Sequence, residues 1–439
     1  MRVTRLLIAA LAVALCAATW APAPASAALP PVKHVFVLLL ENENADVTFG
    51  PSSPAPYLSK TLPAQGQFLP NYYGVTHLSL GNYIALVSGQ GSNAQTQSDC
   101  QLFTDFFPGL IGPDGQALGQ GCVYPQGVKT VADQLTAAGK TWKGYMEDMG
   151  NAAPAQPATC RHPAIGAQDK TQSAKIGDQY ATRHNPFVYF HSIIDTPTCA
   201  QNDVPLDRLP ADLTAPSTTA NYSFITPNLC HDGHDQPCVN GEPGGLVSAD
   251  AFLKTWVPRI ISSPAYKDGG LLLVTFDEAG ADPGTKGDAS ACCGQPQFPN
   301  TPNNGGPVPG MGGGRVGAVV LSPYVTPGSV NQTPYNHFSF LRTTEDLFGL
   351  DHLGYAARDG LKPFGDDVFA AAPAAGGGGG GDPGGSGGGG GGGDEGTSDG
   401  GHGGNAGDGP GRGSSGAGDD SIAGAPAGGV DAGFGGSAR

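Results

Sequence analysis

Between residues 28 and 370 the chain has no Gly-rich loop that could cradle a nucleotide phosphate, and no serine in a GxSxG elbow. These absences set aside P-loop nucleotide hydrolases and lipase-like α/β-hydrolases. CxxC pairs are missing, which excludes the usual structural zinc modules. Basic residues are scarce: 22 Lys and Arg stand against 38 Asp and Glu, a net charge of −16. Nucleic acid, which draws on a basic face, is therefore not an expected partner. No internal repeat and no interior linker divides residues 28–370, a length that suits one large domain or two small ones.

Both ends differ from that middle. Residues 1–27 place two arginines before a short apolar run and close on Ala-Ser-Ala, the pattern of a secretory signal peptide. The run is too short to cross a bilayer, and Leu15 before Cys16 does not suit lipid attachment. Residues 371–439 are dominated by glycine and bury almost nothing, so they read as a disordered tail or spacer, which could reach a cell wall or a partner. The tail has no hydrophobic segment to act as an integral membrane anchor. Without Cys16, eight cysteines remain, an even number that fits disulfides in a secreted, extracellular protein. Cys100–Cys122 and Cys230–Cys238 are the favoured local pairs.

Four apolar runs read as strands: 34–42, 222–228, 270–280 and 316–324. Amphipathic patterns at 130–142 and 248–264 read as helices. The alternation predicts an α/β fold, a mostly parallel central sheet flanked by helices on both faces. Ligands of such sheets bind beyond the carboxyl ends of the strands. Three of the runs end there in polar clusters: Glu41-Asn42, Asn228 with His231, Asp232 and His234, and Asp277-Glu278. Acids gathered at one sheet edge call for a positive partner, and a divalent metal is the usual one.

Ser79 stands where a helix over "GNYIALVSG" would begin. It is either an N-cap or a nucleophile. A helix N-terminus offers N–H groups to a phosphate, and Asn82, one turn in, is placed to donate to a phosphoryl oxygen. His77 reads as loop support. Trp142, Tyr145 and Trp256 fall at helical apolar spacing and read as core.

"SLGNYIALVSG" is similar to the nucleophile segment of the alkaline phosphatase superfamily. "HVFVLLLENENADVTFG", "TWKGYMEDM", "ATRHNPFVYF", "FITPNLCHDGHD", "VTFDEAG" and "GGRVGAVVLSPYV…YNHFSFLRTTEDLFGL" resemble, in order, the blocks of the bacterial and fungal phosphoesterase family of acid phosphatases and phospholipases C. The resemblance spans residues 34–355 and implies an alkaline-phosphatase-like fold. It also implies Ser79 as nucleophile and metal contact, and Asn82 as oxyanion donor. Glu41, Asn42, Asp277 and Glu278 would be metal-site residues. Asp232, His234 and His337 would hold a second metal or contact phosphate and leaving group, and His184 would be a phosphate contact or general acid. His231 and His234 are not separated by spacing alone; the family pattern favours His234.

Two positions depart from the family. Gly81 replaces a frequent Pro, which suggests a looser turn. Glu278 replaces Asp or His, so the oxygen-rich set suits Mg, Mn, Ca or Fe more than Zn, with identity open. The expected function is a secreted, metal-dependent acid phosphatase that cleaves phosphate monoesters through a phosphoserine. Its substrate is a small phosphate ester or a phospholipid headgroup. The alternatives are a phospholipase C or phosphodiesterase at the same site, and a catalytically silent, wall-associated binding protein. A sulfatase would need a Cys/Ser-x-Pro-x-Arg context, which "SLGNY" does not provide.

Overall fold

The run HVFVLLL forms β1 (His34–Leu40) with every residue buried, as expected of a strand covered on both faces. In chain order it is joined by β2 (Gln67–Leu69), β3 (Trp142–Met146), β4 (Asp203–Pro205), β5 (Tyr222–Thr226), β6 (Gly270–Phe276), β7 (Ala318–Leu321) and β8 (Ser329–Val330). These make one eight-stranded sheet in the order β8-β2-β7-β6-β1-β5-β3-β4. This computed structural model describes residues 29–151, 157–280 and 287–370. The signal peptide expected at 1–27 and the tail expected at 371–439 lie outside the described residues.

β1 lies parallel between β5 and β6, with Leu38 opposite Ile225 and Leu40 opposite Phe276. The three strands therefore end together. β7 is antiparallel to both of its neighbours. The 316–324 run is thus a strand as expected, but it opposes the other three; a short apolar run does not encode direction.

The main helices are α1 (Ser79–Ser88), α2 (Val131–Ala137), α3 (Gly245–Ser262) and α4 (His337–Phe348). All ten residues of α1 are buried, and left-handed Gly89 ends it. α2 opens on a capping box between Thr130 and Asp133. It stops at Ala137, well short of the expected 142, because the chain turns at Gly139 with φ of 69° and re-enters the sheet. Trp142 and Tyr145 are consequently buried on β3, not on a helix. α3 begins ahead of the expected 248 and runs through Pro258.

Both favoured disulfides are present, Cys100–Cys122 and Cys230–Cys238, alongside Cys160–Cys199 and Cys292–Cys293. Among the described residues, no helix is long and apolar enough to cross a membrane.

Candidate active site

Backbone pairing carries three acids to one place. Asp277 N donates to Leu40 O at 2.9 Å and Glu41 N donates to Asp232 O at 2.8 Å, so the ends of β1, β5 and β6 hold Glu41, Asp232 and Asp277 side by side. All three are buried, as is Glu278.

α1 delivers Ser79 to this cluster. The serine is the first helical residue and makes no cap bond; its Oγ donates to Glu41 Oε2 at 2.6 Å. Tyr83, one turn on, donates to Glu41 Oε1 at 2.5 Å. His184 Nε2 lies 3.2 Å from Glu41 Oε2, with its ring stacked on Tyr83 at 5.3 Å. Burial alone would raise the Glu41 pKa. The charge and hydrogen bond of His184, with the bonds from Ser79 and Tyr83, overcome it and hold the carboxyl at about 2.

The other acids go the opposite way. Burial, then the charge of Glu41, pushes Asp232 and Asp277 well above the usual carboxylate range; Glu278 rises through burial and the charges of Asp99 and Glu41. Asp232 Oδ2, Asp277 Oδ2, Glu278 Oε2 and His184 Nδ1 are buried without a hydrogen bond. His77 adds to the pattern. Its Nε2 donates to Asp288 O at 2.9 Å, which leaves a bare Nδ1 only 2.5 Å from Glu278 Oε2. Two acceptors at that distance need a proton or a cation between them.

Asn42 presses the same point. Left-handed, with φ of 50°, it turns its amide toward Asp277 Oδ1 and Glu278 Oε1, 3.1 Å from each. With nitrogen on that side it donates to both carboxylates. With oxygen there, three acceptors meet. The buried orphan atoms of the carboxylates and imidazoles fit a divalent cation. The Cys160–Cys199–Asp203 and Cys230–His231–Glu242 clusters do not, because their sulfurs are in disulfides.

Several expected residues sit elsewhere. Asn82 does not face the cluster: its Oδ1 accepts from Val75 N and Thr76 N, and its Nδ2 donates to Thr76 O. It clamps the turn before Ser79, in place of the phosphoryl contact expected of it. His337 is engaged at both nitrogens, with Nε2 donating to Asp277 O at 2.5 Å and Nδ1 accepting from Tyr72 OH at 3.3 Å. Burial lowers its pKa to about 4, so it is a neutral support of the Asp277 backbone and not a contact for phosphate or leaving group. His231 is held by Glu147 and Glu242. His234 is half exposed beside the cluster; its bond to Asp235, with the charges of Asp232 and Glu41, raises it to about 9. The turn at Gly81 is tight, not loose. A Cβ there would lie 2.3 Å from Ser92 Oγ and 2.5 Å from Thr76 Cγ2.

Sequence reasoning passed over three residues and undervalued His77. Tyr83 carried a usable signal, since a position four after Ser79 shares its helix face. Asp99 and Arg183 did not: Asp99 Oδ1 accepts from Leu80 N at 3.0 Å and its Oδ2 lies 3.7 Å from Arg183 Nε, contacts only the tertiary fold creates. The first N–H of α1 beyond Ser79 is thus already bound by a carboxylate.

Comparison with known proteins gives the family. Residues 55–351 match the model of the Phosphoesterase family. The chain is 26% identical over 335 residues to a phosphatidylinositol-3-phosphatase of Mycobacterium tuberculosis, covering 76% of this chain and 82% of that one. It is 25% identical over 333 residues to a probable acid phosphatase of Kluyveromyces lactis, covering 73% of this chain but 59% of the relative. A phosphate-repressible acid phosphatase of Penicillium chrysogenum is 25% identical over 312 residues, 71% of this chain and 58% of its own length. The chain therefore spans less than two thirds of these fungal relatives. Among solved structures, a protein in the alkaline phosphatase superfamily from Vibrio parahaemolyticus aligns with a TM-score of 0.43 and 13% identity, over 78% of this chain and 74% of that one.

Proposed function

Since the chain belongs to the Phosphoesterase family and is a hydrolase of phosphate esters, we propose that it is a secreted, metal-dependent acid phosphatase acting on monoesters through Ser79. The observation that carries the reading is the 2.6 Å bond from Ser79 Oγ to an ionised, buried Glu41 at the start of a helix. A silent binding protein has no use for this arrangement, and membership of a hydrolase family sets that alternative aside.

Ser79 Oγ attacks phosphorus in line as its proton passes to its hydrogen-bond acceptor, Glu41 Oε2; a P–O bond forms to the serine and the P–O bond to the leaving alcohol breaks. His234, held protonated well above neutral pH, is the best-placed imidazole to give the leaving oxygen its proton; His184 is the other candidate. Water then attacks the phosphoserine, releasing phosphate and restoring the hydroxyl. Glu41 orients the serine but at a pKa of about 2 is a weak base. Glu41, Asn42, Asp277 and Glu278, with Ser79 Oγ, are the donors that would hold a divalent cation; Asp232 and His77 face the same cluster. A cation bound there would add the positive charge that favours a serine alkoxide and screens the phosphoryl oxygens.

The name of the mycobacterial relative supports a second reading of the substrate, a phosphomonoester on a phospholipid headgroup. Four disulfides fit an oxidising compartment and thus secretion.

The test compares the full chain with Ser79→Ala on p-nitrophenyl phosphate and its bis ester across pH, with and without chelator. Monoester turnover should fall roughly 10³-fold or more in the variant and collapse with chelator. Full turnover by Ser79→Ala would end the scheme, and a preference for the bis ester would move the assignment to a phosphodiesterase.

A further inference from the structure

Away from the acid cluster, residues around 157–182 line a cavity of about 790 Å³. Lys170 and Lys175 both border it. Lys170 Nζ donates to Gln168 Oε1 at 3.0 Å and Lys175 Nζ to Lys170 O at 2.7 Å, and neither ammonium pairs with a carboxylate among the described residues. The nearby acids are already taken. Asp178 holds Arg161 in a two-pronged bond, and Asp169 accepts from Thr171, Thr182 and Gln172. In a chain with 38 acidic and 22 basic residues, two cavity lysines without acidic partners mark a place for an external anion.

The rim is apolar in an unusual way. Two tight turns flank the cavity, Ala164 to Ala167 and Lys175 to Asp178, each closed by backbone hydrogen bonds. Each has isoleucine at its second position and a left-handed glycine at its third, with φ of 81° at Gly166 and 80° at Gly177. The isoleucines stand in solvent, Ile165 at 45% and Ile176 at 81% exposure. Leu102, 49% exposed, pairs in register with the cavity residue Gln168. Apolar tips beside unpaired lysines are complementary to a surface that is anionic at its face and apolar just beneath.

We infer that this face docks on an anionic phospholipid bilayer, with Lys170 and Lys175 meeting headgroup charge and Ile165 and Ile176 entering the interface. A free phosphate would match the lysines and leave the isoleucines without purpose. The inference concerns docking alone and holds whether or not the catalytic reading does.

The test is sedimentation of the full chain with vesicles of phosphatidylcholine alone or of phosphatidylcholine with phosphatidylserine. Binding to the mixed vesicles is expected, weakening with salt. Lys170→Gln with Lys175→Gln should weaken it about 30-fold, from about 1 kcal/mol per basic residue. Ile176→Ser should weaken it roughly tenfold. Turnover of soluble p-nitrophenyl phosphate should stay at the wild-type level in every variant, which also certifies the fold. The inference is overturned if the wild type stays in the supernatant with mixed vesicles, if the lysine variant binds unchanged, or if inorganic phosphate displaces the protein completely. Loss of wild-type turnover, by contrast, would bear on the catalytic reading and not on docking.

Discussion

Removing divalent cations should make this protein lose stability more steeply as pH rises from 5 to 6, and restoring them should make that trend shallower. Asp232, Asp277 and Glu278 are buried together; burial, then the charge of Glu41 and, at Glu278, of Asp99, raises all three. A carboxyl raised in the folded state contributes stability in full below its unfolded pKa, near 4. That contribution is lost as pH climbs toward the folded value. Each such group costs about 1.4 kcal/mol per pH unit over that window, so three together cost about 4 kcal/mol per unit. At roughly 2 °C per kcal/mol for a domain of this size, Tm should drop on the order of 8 °C between pH 5 and pH 6 in chelator. Glu41 does not offset this. Its pKa is depressed to about 2, so its contribution is complete above pH 4.5 and is lost only in stronger acid. A cation would replace the three protons with one shared charge and make the profile shallower; buried Asp203 and Glu345, raised to about 7 and about 9, keep part of the slope in either state. Thermal melts of the full chain with chelator, and with added Mg, Mn, Ca, Fe or Zn, read the effect directly. A chelated profile that is already flat, or a Tm near neutral pH that no cation raises, would refute the assignment of these acids to a cation site.

Other substitutions report on single contacts. Tyr83→Phe removes one donor from Glu41; a bond to a charged group is worth about 1.5–3 kcal/mol, so the acid limb of kcat/KM should rise by about one to two pH units with KM little changed. His234→Asn should remove the alkaline limb near pH 9 from the monoester profile, because the imidazolium it replaces titrates at about 9. Gly81→Ala should cost about 1–3 kcal/mol in denaturant unfolding, since the new methyl meets Ser92 and Thr76; an unchanged midpoint would contradict the tight turn.

Much of this architecture was readable from residue patterning. β1 and β6 are unbroken apolar runs, and a run buried on both faces has few alternatives to a central strand. The acids that end them mark the carboxyl edge without any tertiary information. Patterning failed where the answer depends on a neighbour. Whether 316–324 runs with or against β6 depends on its connection, not on its composition. The 130–142 segment kept a helical period across Gly139, although one left-handed residue was enough to divide it. Asn82 and His337 were chemically suited to touch phosphate, but each had a closer backbone partner that only folding brought near: the 75–76 amides for one, the Asp277 carbonyl for the other. Asp99 and Arg183 lie far apart in sequence and meet through the fold alone.

The Cys230–Cys238 bridge closes a loop that contains Asp232, His234 and Asp235. The bond therefore holds these side chains at the edge of the acid cluster, whereas Glu41 and Asp277 are placed by the pairing of β1 with β6. Opening this bridge should loosen His234 beside the acids while leaving the pairing of β1 with β6 in place. A circular dichroism spectrum would report the sheet, and a thiol count the state of this loop.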